Sequence, residues 1–223
     1  GHPEFWEVPG IETTTGPLGQ GIANAVGMAL AERMLAARFN RPGHTIIDHY
    51  TYAIAGDGCL MEGVAAEACS LAGDLQLGKL IVFYDDNGIS IEGSTDLAFK
   101  EDVPQRFKAY GWQVLHIDGH NPEEILKAIE DAKADTVHPT LIVAQTEIGH
   151  ASPLAGTAEV HGAPLGKENV IALKKALGLP EEEFYVSAEV YSFFQEKQAQ
   201  WGKLRKDWEE RFAAWSAAFP ELR

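Results

Sequence analysis

Basic residues and cysteine are scarce in this chain of 223 residues, and both shortages narrow the class of protein. Lysine and arginine number 18 against 33 acidic residues, so the formal net charge is −15. Nucleic acids and anionic membranes select clustered basic side chains, so the charge argues against both as partners. Only Cys59 and Cys69 are present, too few for a disulfide framework. We therefore expect a reducing compartment, the cytoplasm.

Long apolar runs are also missing. No stretch approaches the length of a membrane span, and we expect no secretory leader before Gly1. Because the chain starts at Gly1 without an initiator Met, we expect it to begin inside a longer protein. Its length exceeds a typical domain of roughly 100–200 residues. This predicts one α/β domain over residues 1–186 and a helical extension over 187–223.

The apolar runs that do occur are short and alternate with helical segments. Residues 50–55 and 79–84 are β-branched or aromatic runs, typical of buried parallel strands, and residues 62–72 supply a helical crossover between them. Further strands are predicted at 112–117 and 139–144. Helices are predicted at 21–39, 102–110, 122–133, 167–177 and from 187 towards 220, the last with its aromatic residues packed in a core. The alternation predicts an α/β fold, a doubly wound parallel sheet with helices on both faces.

Polar residues follow the first two predicted strands. Asp57 comes after the first strand and Asn87 after the second, so both should lie at the carboxyl edge of the sheet, where open α/β sheets bind ligands. Together with a backbone carbonyl near Ile89 they could hold Mg²⁺ or Ca²⁺, with phosphate oxygens completing the shell. Residues 56–58 and 85–88 are also common turn formers, and the residues alone leave both interpretations open.

Several motifs together resemble one enzyme family. Residues 56–63 (GDGCLMEG), 70–73 (SLAG) and 84–91 (YDDNGISI) look like the thiamine diphosphate signature of the transketolases. Three further motifs also match that family in order and spacing. They are residues 13–21 (TTTGPLGQG), 109–112 (AYGW) and 161–166 (HGAPLG). The resemblance covers nearly the whole chain and favours transketolases over thiamine enzymes at large.

The resemblance implies an activity that this chain would share with other segments. The cofactors would be thiamine diphosphate and Mg²⁺ or Ca²⁺, and the reaction would transfer a two-carbon ketol unit from a ketose phosphate to an aldose phosphate in the pentose phosphate pathway. The family also has an earlier part of this domain and later domains, one of which carries the glutamate that activates the cofactor. We therefore expect a homodimer in the complete enzyme and an inactive chain on its own.

The resemblance also implies a set of cofactor contacts. These are Gly16, Leu18, Asp57, Gly58, Asn87, Ile91 and His161. Asp57, Asn87 and the Ile89 carbonyl would hold the cation, with Gly58 passing close to the diphosphate. Gly16 and Leu18 would contact the aminopyrimidine ring, and Ile91 the thiazolium ring.

Four further residues are implied in catalysis. His2 would face the sugar hydroxyls, and His161 would lie between the diphosphate and the substrate channel, where either could donate hydrogen bonds. Glu62 and Glu67 are predicted to be first-turn acids of the crossover helix, where its dipole favours acids whatever else they do. In the family, the corresponding glutamates resemble a chain of carboxylates that share protons between the two active sites of a dimer.

Three other interpretations remain open. A related thiamine enzyme, such as a dihydroxyacetone synthase or a pyruvate-processing dehydrogenase, could share the metal unit. The chain could instead be a non-catalytic binding or assembly module of a split or truncated enzyme. A nucleotide- or sugar-phosphate-binding α/β protein without thiamine is the third, which the lack of a P-loop disfavours.

Overall fold

The computed structural model describes residues 3–223. Their contacts divide the chain into two units, one of residues 3–31 and 49–173 and the other of residues 32–48 and 174–223. The first division falls inside helix α1 (Gln20–Phe39).

The remaining elements of the first unit alternate between strand and helix. In chain order they are β1 (Thr51–Gly56), α2 (Asp57–Met61), α3 (Gly63–Asp74), β2 (Leu80–Asp86), β3 (Ile89–Ser90), β4 (Gly93–Ser94), α4 (Val103–Ala109), β5 (Gln113–Asp118), α5 (Pro122–Ala134), β6 (Thr140–Gln145) and the greater part of α6 (Lys167–Ala176). Short 3₁₀ turns lie at Thr95–Leu97 and Ala158–Val160. The strands and helices lie within a few residues of the predicted ones, apart from the crossover after β1 and the short strands β3 and β4, which were not predicted.

Four of the strands form a parallel sheet in the order β1-β2-β6-β5, while β3 and β4 form a small antiparallel hairpin. In the parallel sheet, Gly56 at the end of β1 lies opposite Asp85, and Asp86 at the end of β2 lies opposite Gln145. The strands therefore end together, and the residues after β1 and β2 share one edge of the sheet, as predicted.

Helices cover both faces of this sheet. Alternate residues of β2, namely Leu80, Val82 and Tyr84, belong to a buried cluster that also takes side chains from α1, α3 and α4. Ile81, which lies between Leu80 and Val82 in sequence, packs on the opposite face with Ile142 of β6 and with Ala128 and Ala132 of α5. This alternation is the period of two that a strand buried on both sides requires. The predicted doubly wound arrangement is confirmed.

The crossover between β1 and β2 differs from the single predicted helix. Helix α2 begins at Asp57 itself, and Glu62 then takes an extended conformation with a ψ of 135° before α3 starts at Gly63. Glu62 is therefore the residue before α3, and Glu67 lies beyond its first turn, which holds no acid. The prediction that these glutamates are first-turn acids is wrong, because the chain breaks between two helices where composition predicts one.

The second unit contains the long helix α7 (Ala188–Ala218), whose first turn is capped by the Ser187 hydroxyl accepting from the Val190 N–H. Its C-terminal half packs on the end of α1 and the residues after it. The Trp215 indole N–H donates to the Phe39 carbonyl at 2.8 Å, and the Trp208 indole N–H donates to the Ile46 carbonyl at 2.9 Å.

The N-terminal half of α7 is different. The prediction that its aromatic residues pack in a core is wrong there, because Tyr191, Phe194 and Trp201 are exposed, as is Leu204. A helix of 31 residues is about 47 Å long. Residues 39–46, which supply the carbonyl partners of Trp208 and Trp215, extend at most about 28 Å. The covering segment is thus too short for the whole helix.

Both cysteines are free thiols, in agreement with the sequence prediction. Across residues 3–223, no helix combines the length and the apolar character that crossing a membrane would require.

Candidate functional site

The carboxyl edge of the sheet holds a buried carboxylate with only one of its oxygens paired. Asp57, directly after β1, is 5% exposed. The Tyr84 hydroxyl from the end of β2 donates to Asp57 Oδ1 at 2.5 Å. The second oxygen, Oδ2, is buried and has no hydrogen-bond partner among residues 3–223. Burying a carboxylate with one unpaired oxygen is unfavourable in free energy, so a bound cation would stabilise this site.

Neighbouring carboxylates add to the negative charge around Asp57. Burial raises the pKa of Asp57 above its ordinary value, and the neighbouring carboxylates of Asp86 and Asp85 add to the rise, while the hydrogen bond from Tyr84 opposes it. Burial and the nearby Asp57 carboxylate raise the pKa of the Tyr84 phenol as well. Tyr84 therefore remains a donor, and the negative charge at this edge is compensated only in part.

Asn87 lies just beyond β2 in a fixed orientation. Its Nδ2 donates to Asp85 Oδ2 at 3.2 Å, and its Oδ1 accepts from the Ile89 N–H at 3.0 Å. The Thr146 hydroxyl holds the other Asp85 oxygen. The Asn87 amide oxygen keeps a second lone pair for a ligand.

These residues fit a hard cation. A carboxylate oxygen, an amide oxygen and a backbone carbonyl are the ligand types that Mg²⁺ and Ca²⁺ prefer. In the part of the chain that the structure describes, no group of three or more His, Cys, Asp or Glu side chains is placed to hold a metal ion. The case for a cation therefore rests on the unpaired Oδ2 of Asp57 and on the three kinds of oxygen ligand that the site offers.

The loop before α1 packs against the crossover after β1. A Cβ atom built on Gly58 would lie 3.1 Å from Leu18 Cδ1, and one on Gly19 would lie 2.6 Å from the Cβ of Glu62. Gly19 also has a φ of +79°, a left-handed conformation that favours glycine. The structure thus brings the TTTGPLGQG and GDGCLMEG motifs together.

The structure shows no hydrogen bond or ion pair that joins the other predicted site residues to Asp57 or Asn87 within residues 3–223. Gly16, Glu67 and Ile91 are exposed, as is His161, which follows the 3₁₀ turn Ala158–Val160. Over residues 3–223, no hydrogen bond joins the His161 side chain to Asp57 or Asn87. His2 lies outside the described residues.

Three residues of this site have no predicted role in the sequence motifs. They are Tyr84, Asp85 and Thr146. Tyr84 could have been found from the period of two along β2, which places its ring on the same face as Leu80 and Val82. The pairing of Thr146 with Asp85 joins positions 61 residues apart, and no local pattern indicates it.

A parallel sheet with polar groups gathered at its carboxyl edge defines an α/β cofactor-binding domain. The family model described as "Transketolase, thiamine diphosphate binding domain" matches residues 1–223, and the chain belongs to this family. The family resemblance predicted from the motifs is confirmed.

Curated relatives and solved structures agree with this membership. The chain is 55% identical to "Transketolase 1" of Pasteurella multocida over 100% of its own length and 33% of the relative, and 54% identical to "Transketolase 1" of Escherichia coli over 99% and 34%. A solved structure of transketolase from Leishmania mexicana superposes with a TM-score of 0.96 at 50% identity, covering 99% of this chain and 33% of that one.

A transketolase from Pichia stipitis, solved in complex with sedoheptulose-7-phosphate, superposes with a TM-score of 0.94 at 51% identity, covering 96% of this chain and 32% of that one. The chain therefore spans about a third of the length of the relatives it matches.

Proposed function

We propose that this chain is the diphosphate-anchoring part of a transketolase, and that together with the remainder of such an enzyme it serves the transfer of a two-carbon ketol unit between sugar phosphates. The family membership supports the cofactor, thiamine diphosphate. The observation that carries the proposal is the buried, unpaired Oδ2 of Asp57 at the carboxyl edge of the sheet.

The anchoring step depends on a divalent cation, Mg²⁺ or Ca²⁺. Asp57 supplies the charged ligand, Asn87 the amide oxygen and Ile89 its backbone carbonyl. Tyr84 holds the Asp57 carboxylate by donating to Oδ1, which leaves Oδ2 for the cation. Gly58 has no side chain, so the diphosphate can approach the backbone there.

Thiamine diphosphate, when bound, supplies the carbanion chemistry of the ketol transfer. The residues of this chain bind and orient. Leu18, packed against Gly58, and Gly16 from the same loop contact the aminopyrimidine ring, and Ile91 contacts the thiazolium ring. Leu18 and Ile91 are both exposed, as expected of apolar side chains that a bound ring system would cover.

Sugar phosphates are the proposed substrates. The Pichia stipitis relative was solved with sedoheptulose-7-phosphate. His161 and His2 orient the substrate by donating hydrogen bonds to its polar groups. Glu62 and Glu67 share protons across the interface of a homodimer formed by the complete enzyme. The family assignment further favours the pentose phosphate pathway and a cytoplasmic location, with residues 1–186 as the cofactor domain and 187–223 as its helical extension.

The substitution Asp57→Ala tests this function. Because the variant lacks the only charged ligand, we expect metal-dependent binding of thiamine diphosphate to be lost, by at least about a hundredfold in affinity, in isothermal titration calorimetry with Mg²⁺. Asp118→Ala is the matched control, since it removes an exposed carboxylate at the end of β5. Equal affinity in Asp57→Ala and the parent chain would refute the assignment.

A further inference from the structure

The last residues of β2 contact the two side-chain ligands of the proposed cation site from opposite faces of the sheet. Tyr84 shares a face with Val82, and its hydroxyl donates to Asp57. Asp85 is the next residue and therefore lies on the other face. Its carboxylate accepts from the side chain of Asn87. Strand β2 thus provides a separate hydrogen-bonding partner for each of the two ligands.

Both carboxylate oxygens of Asp85 are engaged in hydrogen bonds. Oδ2 accepts from Asn87 Nδ2 at 3.2 Å, and Oδ1 accepts from the hydroxyl of Thr146, the residue after β6. Thr146 is itself held by its backbone, because its N–H donates to the Asp86 carbonyl at 3.1 Å. This bond extends the pairing of β2 with β6 by one residue. The sheet therefore fixes the position of the hydroxyl that holds Asp85.

The carboxylate of Asp85 determines which end of the Asn87 amide is available to a cation. A carboxylate only accepts hydrogen bonds, whereas an amide donates through its nitrogen and accepts through its oxygen. Asp85 therefore favours the orientation in which Nδ2 faces it and Oδ1 faces away, where Oδ1 accepts from the Ile89 N–H at 3.0 Å. A flipped amide would place its oxygen against the carboxylate and offer the cation N–H groups instead of a lone pair.

We propose that Thr146 and Asp85 are positioning residues for the cation, in which Thr146 fixes Asp85 and Asp85 directs the oxygen of Asn87 toward the metal. The inference rests on the proposed function, since it concerns the same cation site. Neither residue acts as a ligand, because the Thr146 hydroxyl and both Asp85 oxygens are used in the hydrogen bonds described. Removing a group that orients a metal ligand typically lowers metal affinity by about 10–100-fold.

Strand β6 offers a matched control at its other end. Thr140 begins β6 and is 0% exposed, and its hydroxyl donates to Gln113 Oε1 at 2.8 Å. Thr140 and Thr146 thus each donate to a side chain of a neighbouring strand, but at opposite edges of the sheet. Replacing either threonine with valine removes a hydroxyl and keeps a β-branched side chain. A general loss of stability would therefore appear in both variants, and a changed cation requirement only in Thr146→Val.

The concentration of Mg²⁺ that the chain requires tests the proposal. Thiamine diphosphate is titrated calorimetrically into each variant at a series of Mg²⁺ concentrations, and the concentration that gives half-maximal binding is compared. Thr146→Val should raise this concentration by about tenfold or more. Thr146→Ser, which keeps the hydroxyl, and Thr140→Val should both stay within about twofold of the parent chain. Urea unfolding in metal-free buffer measures the stability of each variant separately.

Two results would overturn this inference alone, provided that the parent chain still requires Mg²⁺. One is an equal Mg²⁺ requirement in Thr146→Val and Thr140→Val, and the other is a Thr146→Ser variant as impaired as Thr146→Val. A parent chain that binds the cofactor without Mg²⁺, or does not bind it at all, would overturn the proposed function and this inference with it. The two failures are therefore distinguishable.

A double-mutant cycle tests whether Thr146 acts through Asp85. Because Asp85→Ala removes the acceptor of the Thr146 hydroxyl, adding Thr146→Val to that variant should change its Mg²⁺ requirement by less than about twofold. The comparison is made within the Asp85→Ala background, so the lost charge of Asp85 is common to both chains. An equal effect of Thr146→Val with and without Asp85 would contradict the proposed order of contacts.

Discussion

Asp57 and Trp201 both occupy environments that their side chains normally avoid, but in opposite ways. Asp57 is a charged residue that is 5% exposed, with one carboxylate oxygen unpaired. Trp201 is an aromatic residue that is 54% exposed in the middle of a helix. The centre of the sheet follows the usual preferences, with Leu80, Ile81 and Val82 of β2 and Leu141 and Ile142 of β6 at 0% exposure. Each exception marks a place where the chain lacks a counterpart.

The two exceptions call for different counterparts. A buried carboxylate oxygen at a polar edge is compensated by a small cation, and the oxygen donors around Asp57 match Mg²⁺ or Ca²⁺. An exposed apolar helix face is compensated by another apolar surface. The burial of a group therefore indicates the kind of ligand as well as the presence of a site.

The largest expected effect compares two tryptophans on the same face of α7. Trp215→Ala removes a buried ring and its hydrogen bond to the Phe39 carbonyl, and should destabilise the chain by about 3–5 kcal/mol. Trp201→Ala should change the free energy of unfolding by less than about 0.5 kcal/mol, because its ring is already 54% exposed. Urea unfolding measures both. Equal losses of stability in the two variants would show that the two halves of α7 do not differ in burial.

A smaller effect should appear when the charge of Asp57 is removed. In metal-free buffer, Asp57→Asn should be more stable than the parent chain by about 1–2 kcal/mol, because the amide oxygen still accepts from Tyr84 while the buried charge is lost. Urea unfolding with a chelator measures this difference. Adding Mg²⁺ and thiamine diphosphate should reverse the order. A variant less stable than the parent chain without metal would show that the carboxylate is already compensated.

The smallest expected effect on stability comes from Asp135, whose pKa is lowered whereas that of Asp57 is raised. Although partial burial opposes the shift, hydrogen bonds from the His138 backbone and ring, and from the Val137 N–H, lower the pKa of Asp135. Its folded pKa lies below its unfolded one, so its contribution to stability is present above about pH 4 and is lost as the pH falls through the folded value. The free energy of unfolding should be measured for the parent chain and for Asp135→Asn between about pH 2 and pH 7. Only the parent chain should lose the stability that Asp135 contributes as the pH falls. Parallel pH profiles would contradict it.

Much of the fold could be predicted because its signals are local. The run 79–84 is apolar after its first residue, and it forms β2, which begins one residue later and ends two residues later than predicted. Asn121 precedes a proline and two glutamates, and its side chain caps α5 by accepting from Glu123 and Glu124. Such signals lie within a few residues of the element that they define.

The rest depends on contacts between distant residues. The extended conformation of Glu62 has no sequence marker, and it separates two helices where composition predicts one. The Tyr84–Asp57 hydrogen bond joins the ends of two strands, so it follows from their register rather than from either motif. The exposure of Trp201 depends on how far the residues after α1 reach along α7, which periodicity does not encode. Sequence therefore predicts Asp57 as a candidate ligand but not the partner that holds it.

The most direct test of the central claim, that Asp57 and its neighbours anchor a diphosphate through a cation, is calorimetric titration of thiamine diphosphate into this chain with and without Mg²⁺. We predict binding that requires Mg²⁺, because the uncompensated oxygen of Asp57 would repel the diphosphate in its absence. Equal binding with and without the cation, or no binding in either case, would contradict the claim that these residues form the anchor.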